Sequence, residues 1–102
     1  MEYYNVIITS RAQIDLTVCI AFVLNTSVEA AKNLANEMKE SLQSLSTWPE
    51  RNPIFEMPKG FPFDIRKQVI SKKYVALYSI EDKNVVVYRI LDSRRGFDHI
   101  FF

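Results

Sequence analysis

The sequence has little of what marks a disulfide-stapled, metal-binding or linker protein. It contains one cysteine, one histidine and two glycines in 102 residues. A single cysteine cannot form an internal disulfide, and the apolar neighbours of Cys19 indicate a small buried side chain rather than a nucleophile. We therefore predict no internal disulfide, no metal site and no cofactor.

Long hydrophobic segments and a secretion signal are lacking as well. The longest apolar run, residues 18–24, is far shorter than a membrane-spanning helix, which needs ~20 residues. The first residues show no cationic start followed by an apolar stretch. The sequence thus predicts a cytoplasmic protein with no membrane partner, organised as a single globular domain over residues 1–102.

The formal net charge of +1 hides an asymmetry between the two halves of the chain. Residues 1–57 carry four basic and seven acidic side chains, a net −3, whereas residues 58–102 carry nine basic and five acidic ones, a net +4. A basic C-terminal half favours an acidic partner surface. A charge of +4 is nevertheless weak for a nuclease that must hold an RNA backbone.

The N-terminal half predicts a strand followed by a helical hairpin. Residues 4–9 form a β-branched and aromatic run, which we expect inside a sheet. Ser10 and Thr26 each stand three residues before a Gln or Glu, the capping-box spacing that predicts a helix start. The first helix is apolar around most of its girth and should be covered on more than one side. In the second helix, apolar residues recur at helical spacing: Ala31, Leu34, Met38, Leu42 and Leu45.

The C-terminal half is β in character. Trp48-Pro49 ends the second helix, and all four prolines lie between there and Pro62. Three β-rich segments follow, separated by short polar breaks: residues 63–70, 74–80 and 85–91. The predicted fold class is α+β, in the order β-α-α-β-β-β, with the helical hairpin packed on one face of an antiparallel meander to which the first strand returns.

Several short segments, which together span nearly the whole chain, follow one another in a characteristic order and spacing. Residues 4–12 combine an opening strand with a Ser-x-Arg-Ala entry into the first helix, and residues 45–49 form a Leu-x-x-aromatic-Pro exit from the second. A three-strand meander and a basic tail follow: Ile65 to Val69, Tyr74 to Ile80, Val86 to Leu91 and Ser93-Arg94-Arg95. In these features the sequence resembles the RelE/ParE superfamily of toxins from bacterial type II toxin–antitoxin modules.

The resemblance implies one of two toxic activities. One branch of the family cleaves mRNA in the ribosomal A site, and the other poisons DNA gyrase. Cleaving members typically carry an Arg three residues before the Tyr that is Tyr78 here, and this chain has Val75 at that place. An apolar side chain cannot neutralise the phosphate of a cleavage transition state. The ParE-like, gyrase-inhibiting branch is therefore favoured, although Asp92 stands where many ParE-like chains have His.

Two alternatives remain open. Under the first, the chain is a ribosome-dependent mRNA endoribonuclease, with Arg66 and Arg94 on phosphate and His99 near the leaving group as the catalytic residues. Under the second, it is a degenerate, non-toxic family member that acts only as a binding module.

The resemblance also implies a cognate antitoxin, which would lay a helix and an extended segment over the sheet edge and the helical hairpin. Antitoxins are typically acidic in that region, which suits the basic half of this chain. The residues predicted to bind the target or the antitoxin are Arg66, Lys67, Tyr74, Tyr78, Arg89, Arg94 and Arg95.

Two features of the C-terminal half call for a partner. Arg89 stands within an apolar strand and is expected to leave at the sheet edge or meet a carboxylate, with Asp64 or Asp92 as candidates. The last residues, Phe97 and 100–102, are too apolar for a free tail and should pack on the protein, on a partner or on a second copy. A homodimer and a toxin–antitoxin hetero-oligomer are both compatible with this pattern.

Overall fold

The computed structural model describes residues 3–56 and 62–93. Its helices and strands are β1 (Asn5–Ile8), α1 (Ser10–Leu24), α2 (Val28–Gln43), β2 (Ile54–Phe55), β3 (Ile65–Ile70), β4 (Tyr74–Glu81) and β5 (Asn84–Asp92). Two 3-10 turns, Ser44–Ser46 and Pro49–Arg51, connect α2 to β2. The predicted α+β order is confirmed, with β2 as an added two-residue strand. Neither helix in the described part of the chain has the length and hydropathy to cross a membrane.

Both helices start where expected, but each cap is displaced by one residue. Thr9 caps α1 and Ser27 caps α2, each by accepting a hydrogen bond from the backbone N–H three residues further on. Each cap satisfies a donor that has no partner within its helix. The predicted caps, Ser10 and Thr26, are therefore wrong. Two hydroxyl residues stand side by side at both places, and only the backbone conformation decides between them.

A single five-stranded sheet has the order β1-β5-β4-β3-β2. Strands β2 to β5 are antiparallel to their neighbours, and β1 pairs in parallel with β5. The expectation that the first strand lies inside the sheet is wrong, because β1 is an edge strand. Its residues alternate accordingly: Val6 and Ile8 pack against the core, whereas Ile7 is exposed.

The main core lies between the helices and one face of the sheet. The apolar face predicted for α2 is confirmed, since all five of its predicted positions are buried. Four of them, Leu34, Met38, Leu42 and Leu45, pack in one cluster with residues of β4 and β5 that share the helix-facing side: Tyr74, Ala76, Tyr78, Val85, Val87 and Ile90. This packing fixes the hairpin over the centre of the sheet.

A β-bulge in β5 changes which residues face this core. The pairing of β4 with β5 shifts register so that Tyr88 has no residue opposite it. Beyond the bulge, Ile90 rather than Arg89 continues the buried row begun by Val85 and Val87. Strict alternation would have turned the arginine into the core.

Arg89 instead forms a buried ion pair with Asp15 of α1. Its Nε donates to Asp15 Oδ2 at 2.8 Å and its Nη2 donates to Oδ1 at 3.2 Å. The same carboxylate accepts a hydrogen bond from the backbone N–H of Ile90 at 3.0 Å. The expected need for a carboxylate is confirmed, and the carboxylate of this ion pair comes from the first helix, which the sequence did not indicate. Asp15 thereby attaches α1 to the edge of β5 beyond the end of β1.

Replacing Asp15 by Ala should leave the largely buried Arg89 guanidinium and the Ile90 backbone N–H without the carboxylate that bonds them. We expect the free energy of unfolding, measured by urea denaturation, to fall by on the order of 3 kcal/mol. Glu37→Ala is the matched control, because Glu37 is an exposed acid on α2 and its loss should change little. Equal midpoints for the two variants would contradict the role given to Asp15.

Candidate partner-binding site

Helix α1 presents an apolar stripe to solvent. Ile14, Val18 and Phe22 follow one another at intervals of four residues and therefore share one face of the helix. Their exposed fractions are 54%, 61% and 74%. The sequence predicts that α1 is covered on more than one side, but in the described part of the chain this face of the helix is exposed. The stripe is therefore a candidate docking surface.

The stripe forms one wall of a groove of about 370 Å³ beside the last strand. Tyr74, Leu91 and Asp92 of the sheet and the Asp15–Arg89 pair also line the groove. Arg11 adds an exposed cation at the start of α1. An apolar wall with charges around it suits a segment of another protein chain.

Arg66, a predicted contact residue, is engaged by the loop that precedes β2. Its Nη1 donates to the carbonyl oxygens of Glu50 at 3.1 Å and Asn52 at 2.6 Å. Lys67 is the next residue along β3, so its side chain leaves from the opposite face of the sheet, where it is half-buried. The two cations therefore do not form one patch.

Tyr78 and Tyr74 are both buried members of the core. The Tyr78 hydroxyl donates to the Pro49 carbonyl at 2.6 Å and accepts from the Asn52 amide at 3.0 Å. Burial raises the pKa of the Tyr78 phenol, which therefore stays neutral. With its side chain fully buried, Tyr78 supports the fold and does not reach a partner directly. Tyr74 is 8% exposed, at the groove.

The other predicted site residues divide into two groups. Arg89 lines the groove but is held by Asp15, so its charge is matched within the chain. Arg94, Arg95 and His99 lie outside the described residues. The catalytic set of Arg66, Arg94 and His99 thus stays a prediction.

The position at which RNA-cleaving members carry an arginine lies within apolar packing here. Val75 is buried with Ile65 and Leu77 in a cluster on the second face of the sheet. Among the described residues, no group of His, Cys, Asp and Glu side chains could hold a metal ion. The position of Val75 therefore offers apolar packing and no phosphate-binding cation.

A polar cluster that the sequence did not signal lies at the end of the same strands. The Tyr88 hydroxyl donates to Glu81 Oε2 at 2.7 Å, and the Ser79 hydroxyl donates to the same atom at 2.9 Å. These hydrogen bonds lower the pKa of the Glu81 carboxyl, whereas burial raises the pKa of Tyr88. The cluster does not suit a phosphate ligand, because it is negatively charged and both of its hydroxyl groups already donate to Glu81. Only the pairing of β4 with β5 brings its members together.

Comparisons with known proteins agree with this architecture. A family model described as the ParE toxin of the type II toxin–antitoxin system parDE matches residues 6–97. A search of curated proteins found no significant match. Among solved structures, a chain of the chromosomal ParDE toxin–antitoxin system from P. aeruginosa superposes with a TM-score of 0.69 at 17% sequence identity. The match covers 88% of this chain and 96% of that one, and at such an identity it speaks for the fold alone.

The buried hydroxyl of Tyr78 provides a test of the hydrogen bonds that hold the turn after α2. Tyr78→Phe should leave the Pro49 carbonyl without its donor and lower the free energy of unfolding by about 1–3 kcal/mol. Tyr88→Phe is the control, because its hydroxyl bonds an exposed carboxylate that water can reach. Thermal and urea denaturation of both variants would measure the difference, and an equal loss would contradict this account.

Proposed function

This chain belongs to the ParE toxin family of type II toxin–antitoxin systems, and we propose that it inhibits DNA gyrase in the cytoplasm and is neutralised by a cognate antitoxin. The observation that carries the proposal is the family match over residues 6–97, and it is supported by the apolar groove beside α1. The family match indicates a toxin with a cognate antitoxin, and the groove offers a surface to which a protein partner can bind.

The groove supports an antitoxin that binds through an amphipathic helix. The exposed stripe repeats every four residues, which matches the spacing of side chains along one face of a second helix. α1 carries only Arg11 and Asp15 as charged residues, and Asp15 is held within the protein. Among the charged groups that line the groove, the largely exposed cation of Arg11, whose Nε lies 3.8 Å from Asp15 Oδ1, favours an acidic residue on the partner helix.

Gyrase inhibition is favoured over RNA cleavage by the surroundings of two residues. Val75 is buried in apolar packing and offers no cation, and Arg66 directs donors at two backbone carbonyls. A cleaving site needs cations that are free to stabilise charge on the phosphate as it develops. Neither position supplies one.

Induction of this chain in a bacterium tests the choice of target. We expect cells to filament with damaged DNA, and the purified chain to reduce DNA supercoiling by gyrase. Coexpression of a short acidic protein encoded beside it should restore growth. Arrest of translation with mRNA cut at codons would instead identify the ribosome as the target and overturn the gyrase proposal.

A charge placed in the stripe tests the antitoxin groove. Val18→Asp should weaken antitoxin binding by roughly tenfold or more, since the complex would bury an unpaired carboxylate. Thr17→Asp introduces the same charge one residue away on another exposed face of α1, and it should leave binding nearly unchanged. Isothermal titration of both variants gives the comparison, and similar losses would place the antitoxin elsewhere.

A further inference from the structure

The turn after α2 holds the only tryptophan of the chain in a strained conformation. Trp48 has φ 48° and ψ 58°, in the left-handed region that costs free energy for a residue with a bulky side chain. Its side chain does not gain burial in return, because 70% of its surface is exposed. A strained backbone that displays an exposed indole is unexplained by folding alone.

Arg51 holds this turn from within. Its Nη1 donates to the carbonyl oxygens of Ser44 at 3.2 Å, Thr47 at 2.8 Å and Trp48 at 3.2 Å. Its Nη2 donates to the Ser44 hydroxyl at 2.8 Å. One guanidinium thus ties the end of α2 to the turn that follows it.

Strands β3 and β4 hold the same turn from the sheet. Tyr78 donates to the Pro49 carbonyl, and Arg66 donates to the carbonyls of Glu50 and Asn52. With Arg51, three side chains satisfy the carbonyls of the turn on both sides of Trp48. Side chains of the core and the sheet therefore maintain the strain, and the indole stands on a rigid base.

The chemistry around Trp48 fits a protein pocket better than a nucleic acid. Both neighbouring arginines, Arg51 and Arg66, direct donors at backbone carbonyls. The nearest charged side chain in sequence is the exposed Glu50, which accepts a hydrogen bond from the Tyr4 hydroxyl at 2.9 Å. The Glu50 carboxylate would repel phosphates, whereas the neutral indole can enter an apolar pocket of a protein.

Trp48 and the α1 groove lie at opposite ends of the sheet. The turn is bonded to Tyr78 in the second half of β4 and to Arg66 at the start of β3. The groove is lined by Tyr74 at the start of β4 and Asp92 at the end of β5. A helix seated in the groove would therefore lie towards the other end of the sheet from the indole.

We propose that Trp48 is an anchoring contact with the protein that the toxin inhibits, entering an apolar pocket of that target. The inference rests on the proposed function, which names DNA gyrase as the target. It assigns the two ends of the molecule to two partners: the antitoxin binds at the α1 groove, and the target binds at Trp48.

Trp48→Gly tests the anchor without endangering the fold, because glycine adopts positive φ at little cost. The variant should unfold at the same or a higher urea concentration than the wild type, yet inhibit gyrase roughly 30-fold less well, as expected on truncating a hot-spot aromatic. Its affinity for the antitoxin should be unchanged. Phe22→Ala is the matched control: an equally exposed aromatic is removed from the groove, so gyrase inhibition should persist while antitoxin binding weakens.

Photocrosslinking shows whether the contact is direct. We expect p-benzoylphenylalanine incorporated at position 48 to crosslink to purified gyrase, and the same group at position 22 to crosslink to the antitoxin. Crosslinks from position 48 to the antitoxin alone, or to a second copy of this chain alone, would overturn the proposal. So would full inhibition by a folded Trp48→Gly variant.

Growth inhibition on induction separates this inference from the proposed function. If the wild type arrests growth but does not inhibit gyrase, the choice of target is wrong, and Trp48→Gly must still relieve the arrest for the anchor to stand. If the wild type inhibits gyrase and Trp48→Gly does so equally, the anchor is wrong and the proposed function stands. A folded wild type that neither inhibits gyrase nor arrests growth overturns both.

Discussion

The carboxylate of Asp15 is the contact on which the placement of the first helix depends. It receives hydrogen bonds from the side chain of Arg89 and from the backbone of Ile90, in a part of the sheet edge that β1 no longer covers. The bulge at Tyr88 makes this contact available, because it keeps the arginine out of the core and continues the buried row with isoleucine. With α1 fixed in this way, its apolar stripe faces a groove instead of the sheet.

Two of the basic side chains in the C-terminal half are engaged by other groups of the protein. Arg66 directs its donors at the turn after α2, and Arg89 is matched by Asp15. Both cations stabilise the fold, and their charge is less available to a polyanion than the sequence count suggests.

The parts of the fold that could be predicted are those with a local period. The buried face of α2 repeats at helical spacing, and the three C-terminal strands are bounded by polar turns, so the structure places both as predicted. The predictions that failed concern long-range pairing. The edge position of β1 and the partner of Arg89 depend on which strand neighbours which, and the bulge breaks the alternation on which the prediction relied.

The sequence by itself determined the class of fold, the order of its elements and the family resemblance, because these depend on residue spacing along the chain. The two candidate surfaces were decided by the tertiary structure. The stripe on α1 became an exposed surface once Asp15 had oriented the helix, and Trp48 became a rigid, exposed residue once Arg51, Arg66 and Tyr78 had satisfied the carbonyls around it. Exposure and strain belong to the packed chain, since both depend on side chains that are distant in sequence.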